Sequence, residues 1–88
     1  MRLELQMINE KGLHARASAR FVETVEAFDA SATVEKDGME VGGDSIMGLM
    51  MLAASKGCQI AVETSGTQAQ ELAEALSALV GNYFGEGK

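Results

Sequence analysis

Along 88 residues the spacing of apolar side chains changes repeatedly, from every second residue to every third or fourth and back. No single regular element can carry such a pattern, so the chain must interleave strands and helices. Leu3, Leu5 and Met7 alternate with Arg2, Glu4 and Gln6, which predicts a strand with one buried face. Asn9, Glu10, Lys11 and Gly12 break the alternation as a loop. Ala15, Ala19, Val22 and Val25, flanked by Phe21 and Phe28, then stack on one face of a helix, with Arg16, Arg20, Glu23 and Glu26 on its other faces.

Residues 31–42 read as a hairpin turning at Asp37-Gly38, with Lys36 opposite Met39 and Val34 opposite Val41. Gly42-Gly43 ends that strand. Asp44 or Ser45 can cap a short helix over 46–54, whose inward positions are Leu49, Leu52 and Ala53. Lys56-Gly57 stops it. Cys58, Ile60, Val62 and Thr64 alternate as a fourth strand. Thr67 and Gln70 have capping-box spacing before a helix with Ala69, Leu72, Ala73, Leu76, Leu79 and Val80 as its apolar stripe and Gly81 as its stop. The order β-α-β-β-α-β-α predicts two layers, one sheet under helices, in a single domain spanning 1–88 with 85–88 as a flexible tail.

The formal net charge is −6, which disfavours binding to nucleic acid or to anionic membranes. No stretch approaches the about 20 apolar residues that span a bilayer. The opening MRLELQMINE alternates, unlike a signal peptide. Cys58 is the sole cysteine, which suits a reducing cytoplasm, and it reads as a small buried apolar residue. There is no GxxxxGK[ST] or GxGxxG nucleotide motif, no zinc-ligand spacing and no nucleophile elbow. The carboxylates read as a solvated surface. No cofactor or metal is implied.

The run Gly12-Leu13-His14-Ala15-Arg16 stands apart, because it lies where a loop becomes a helix. Free backbone N–H groups and the positive end of the helix dipole favour an anion there. A neutral imidazole is a competent nucleophile. Arg16 adds a permanent positive charge with forked donors. Nucleophile, anion cradle and counter-charge fall within one turn.

GLHARASARFV resembles the active-site segment of the HPr family, the histidine phosphocarriers of the bacterial phosphoenolpyruvate-dependent phosphotransferase system. DSIMGLMMLAASKG resembles the same family's regulatory segment. The resemblance covers nearly the whole chain and implies an α+β open-faced sandwich, with a four-stranded antiparallel sheet and helices on one face. It implies that His14 carries a phosphoryl group on Nδ1, that Arg16 assists transfer, and that the backbone amides of Ala15 and Arg16 hold the phosphate. Enzyme I would be the donor and an EIIA-type protein the acceptor, the chain being a monomeric stoichiometric carrier and not an enzyme. Ser45 matches the serine phosphorylated by an HPr kinase/phosphorylase. Ile46, Met47 and Met50, with Arg20, match the partner-binding surface.

Ala17 stands where many members have proline, and Glu23, Glu26 and Gly48 stand near positions that carry lysine in enteric members. LMMLAASKGCQIAVETSGTQAQELAEALSALV also resembles the nitrogen-related NPr branch, which points to an alternative regulatory output. Two further readings compete: a non-carrier binding module that would not need His14, and a small acylphosphatase-type enzyme that would not place a nucleophile at the cradle.

Overall fold

The computed structural model describes all 88 residues. The elements run β1 (Arg2–Gln6), α1 (Ala15–Glu26), β2 (Ser31–Lys36), β3 (Met39–Gly42), α2 (Ile46–Met51), β4 (Gln59–Ser65) and α3 (Ala69–Gly81), followed by a 3-10 turn at Tyr83–Gly85. The four strands form one antiparallel sheet in the order β1-β4-β2-β3. Period-two alternation places Leu3 and Leu5 beside Val62 and Ile60, and Val34 beside Val62, on the face covered by the helices. Charged residues such as Arg2, Glu35 and Glu63 occupy the bare face, where Arg2 and Glu35 approach to 3.6 Å. The α+β open-faced sandwich expected from the sequence is the fold observed.

The hairpin has the expected register, Val34 opposite Val41 and Lys36 opposite Met39. Both turn residues, Asp37 and Gly38, have positive φ (52° and 84°), as a two-residue turn matched to strand twist requires. Phe21, Leu49, Leu72, Leu76, Val34, Val62 and Phe84 are fully buried in one core.

Four local expectations are corrected. The buried stripe of α1 is Ala17, Ser18, Phe21, Val22 and Val25, and Ala15 is exposed. A buried serine is tolerated because its hydroxyl donates to the Leu13 carbonyl at 3.2 Å. The second helix ends at Met51, and Ala53 takes a left-handed φ of 52°, so Ala54 and not Ala53 turns inward. Thr67 does not cap α3. Gln68 is the N-cap and makes no side-chain cap bond, its Oε1 accepting instead from the Asp29 backbone N–H at 2.7 Å. Finally, α3 runs through Gly81, and the left-handed break falls on Tyr83 and Phe84 (φ 56° and 53°).

Candidate functional site

His14 is the N-cap of α1, with extended backbone (φ −76°, ψ −178°). The loop that delivers it is fixed at several points. Gly12 has a φ of +61°, and a Cβ there would overlap the Ala54 carbonyl and lie 2.8 Å from the Ser55 Cα, so this close crossing admits only glycine without strain. Leu13 N–H donates to the Ala54 carbonyl at 2.9 Å. The fully buried Asn9 donates through Nδ2 to the Gly12 carbonyl at 3.0 Å.

The opening of α1 is left chemically unfinished. No side chain caps it, and no acidic residue lies in its first turn. The first helical hydrogen bond is Ser18 N–H to the His14 carbonyl at 2.8 Å, and the N–H groups of Ala15, Arg16 and Ala17 have no backbone partner. Three donors are thus left open next to His14 in the chain, at the positive end of a twelve-residue helix. Ala15 and Arg16 are exposed.

A shallow open depression of about 280 Å³ adjoins this point. Lys11, Arg16, Arg20 and Lys88 line it, together with Glu10, Glu86 and Gly85. Four of the chain's seven basic residues therefore share one concavity with only two of its thirteen acidic ones. An acidic chain has gathered its positive charge around His14, the local patch that composition does not reveal.

Two residues that sequence reasoning passes over complete the site. Glu86 Oε2 lies 2.5 Å from His14 Nε2, and Glu86 Oε1 accepts from Asn9 Nδ2 at 3.2 Å. The imidazole is one-quarter exposed and the carboxylate 12% exposed. Desolvation pushes the Glu86 carboxyl up. The Asn9 amide, the His14 ring and the Arg16 charge outweigh it and hold that carboxyl below its ordinary value of 4.5. His14 Nδ1 has no hydrogen-bond partner and is not sealed from solvent. Residues 85–88, read from sequence as a tail, thus include a side chain set against the candidate nucleophile.

Phe84 sets where Glu86 falls. Its ring is fully buried, and Arg20 Nη1 donates to its carbonyl. Two successive left-handed residues without glycine, Tyr83 and Phe84, cost about 1–3 kcal/mol each, and such strain persists only where surrounding contacts over-determine it. Arg20, expected at the partner surface, lies half-buried at the depression and holds this turn. A buried aromatic four residues after Val80 was the available sequence signal for a docked C-terminal segment.

Ser45 caps α2, accepting through Oγ from Gly48 N–H at 3.0 Å. Beyond it Ile46, Met47, Met50 and Met51 are all exposed, Met47 by 70%. A Cβ at Gly48 would sit 3.0 Å from the Val41 Cβ, so the missing side chain there lets α2 lie close on β3. Cys58 is only half-buried, which corrects the expectation of a buried residue. The Ser55 hydroxyl and backbone, 3.5 Å away at the hydroxyl, and the Lys36 charge hold its thiol below the ordinary 9.0, against desolvation.

With this geometry in place, comparison with known proteins is direct. Residues 1–82 match the family model described as "PTS HPr component phosphorylation site". The phosphocarrier protein HPr of Neisseria meningitidis is 47% identical over 88 residues, covering all of this chain and 99% of that protein. The phosphocarrier protein NPr of Escherichia coli is 36% identical over 83 residues, covering 93% and 92%. The crystal structure of HPr-C-His from Thermoanaerobacter tengcongensis superposes with a TM-score of 0.93 at 37% identity, over 98% of this chain and 97% of that one. The chain belongs to the HPr family, the phosphocarrier proteins of the phosphotransferase system.

Proposed function

We propose that this phosphocarrier accepts a phosphoryl group on His14 Nδ1 from Enzyme I and donates it to an EIIA-type protein. The observation that carries this reading is the open N-terminus of α1: an imidazole with its Nδ1 unpartnered beside the unpaired N–H groups of Ala15 and Arg16. These amides and the Arg16 guanidinium suit the oxygens of a phosphoryl group. The cradle is shallow and open, so a partner can reach the group, and a carrier that bound its phosphate too tightly would not release it.

Ile46, Met47 and Met50 offer partners an adaptable apolar surface on a helix packed against α1, the helix that carries the basic Arg16 and Arg20. Ser45 is the proposed regulatory site. A phosphate there would remain at a helix N-terminus and add negative charge beside the apolar surface without requiring the helix to unfold. Identity is higher to the relative named HPr than to the one named NPr, which supports the HPr reading over the nitrogen-related one.

The test is incubation with phosphoenolpyruvate and Enzyme I, followed by intact mass and mapping of the modified residue. One acid-labile phosphoryl group on His14, absent in His14→Ala, is the expected result. An unmodified chain beside a demonstrably active Enzyme I would leave a non-carrier binding module. Turnover of an acyl phosphate would instead favour the acylphosphatase reading.

A further inference from the structure

We infer that Glu86 is a positioning residue for His14, holding a proton on Nε2 so that Nδ1 presents its lone pair before transfer and the phosphorylated ring stays cationic after it. The second half of this inference rests on the carrier reading above. The first half does not.

The arrangement is specific in both oxygens of the carboxylate. Oε2 faces His14 Nε2 at 2.5 Å, and Oε1 is taken by Asn9 Nδ2 at 3.2 Å. Asn9 also grips the Gly12 carbonyl, two residues before His14. One buried amide therefore ties the carboxylate to the backbone that carries the imidazole. The Asn9 Oδ1 is buried without a partner. An orphaned buried acceptor is costly. Turning the amide over would point that oxygen at the Gly12 carbonyl and at Glu86, so its two donors are what the site uses. Below the carboxylate, Phe84 is locked in the core and its carbonyl is held by Arg20. Glu86 thus stands on an anchored turn.

The chemistry follows from a ring with one proton. A carboxylate beside Nε2 fixes the hydrogen there and leaves the lone pair on Nδ1. On phosphorylation that lone pair forms the N–P bond, while the donor's bond to phosphorus breaks and its electron pair stays with the donor. No proton leaves the ring, which therefore becomes positively charged next to Glu86. When the group moves on, the N–P electron pair returns to Nδ1 and the ring is neutral again. A ring that had lost its Nε2 proton would be a poorer leaving group, so retaining that proton keeps the phosphoryl group transferable.

The charged groups lining the depression beside this ring come from three segments: Glu10 and Lys11 in the loop after β1, Arg16 and Arg20 on α1, and Glu86 and Lys88 after α3. The segment after α2 meets the loop through the uncharged Ala54. Among these groups only the Glu86 carboxylate lies within hydrogen-bonding distance of the ring.

Two measurements test the assignment. In 15N-histidine-labelled protein without phosphate, the Hε2 proton of His14 should be visible, downfield and slow to exchange, and Glu86→Ala should abolish it. No such signal in the parent chain, or one unaffected by Glu86→Ala, would overturn the positioning role whether or not the chain is a carrier. In the phosphorylated protein, 31P and 15N titration of Glu86→Gln should lower the pH at which Nε2 loses its proton by about one unit. Transfer to the acceptor should then match the parent at acid pH and be about tenfold slower well above both midpoints. An unmoved midpoint, or a rate loss equal at every pH, would sink the inference while leaving the carrier intact. Failure of Enzyme I to label the parent chain would sink the carrier reading instead, and the Hε2 signal would still decide the role of Glu86.

Discussion

Two helices in this small protein begin in opposite ways. At α2 the N-cap is Ser45, whose hydroxyl oxygen accepts from Gly48 N–H, so the short helix is closed by its own side chain. At α1 the N-cap is His14, which caps nothing, and three successive N–H groups are left without backbone partners. A serine at such a position contributes about 1 kcal/mol over an uncapped residue. The longer helix forgoes that stabilisation where the basic depression lies. The same backbone donors are thus closed at one helix start and left open at the other, and the N-cap residue decides which.

The contrast can be tested by disturbing each start in turn. The largest expected effect on the fold is at the approach to α1. Gly12→Ala must accept left-handed backbone and push against Ala54 and Ser55, which should cost at least about 1–3 kcal/mol. In a domain of this size each 1 kcal/mol lowers Tm by about 4–8 °C, so thermal unfolding reads it directly. A Tm equal to the parent's would mean that the loop shifts freely and that His14 is not held as described.

A middle-sized effect is expected at the closed start. Ser45→Ala should destabilise by about 1 kcal/mol in denaturant titration and leave phosphoryl acceptance at His14 unchanged. Loss of acceptance in that variant would couple the two starts and erase the division of labour between them.

The smallest effect is on acid stability. The folded-state carboxyl of Glu86 is lowered, so its contribution is fully present above its ordinary value of 4.5 and is lost as pH falls through the lower folded value. Stability curves of the parent and Glu86→Gln should therefore stay separated above 4.5 and converge as pH falls through the lowered folded value. Parallel curves over that window would show that the carboxylate is not held by its neighbours.

Much of this was legible from local pattern. The hairpin register follows from Asp37-Gly38 and the alternation around it, and the Ser45 cap follows from a small hydroxyl before an apolar run. The helix start at His14 was legible for the same reason, since the loop, the histidine and Arg16 lie within five residues. What escaped depends on distance or on competition for partners. Ser18 was missing from the expected apolar stripe of α1, and it is buried because the Leu13 carbonyl supplies its acceptor. Gln68 displaced the expected Thr67–Gln70 box because the Asp29 N–H lay within reach across the fold. Glu86 is 72 residues from His14, in a stretch read as a flexible tail, and no periodicity links the two.

The seating of Phe84 has a consequence for how the protein is made. The ring that anchors the final turn is seated in the same core as Phe21, Leu72 and Val80, and Glu86, two residues on, meets a histidine laid down some seventy residues before it. On the ribosome, α1 and its basic flank can be outside the exit tunnel while residues 84–86 are still within it. His14 then stands without its carboxylate partner, and the contact between the two ends of the chain forms only after residue 86 has been made and released from the tunnel.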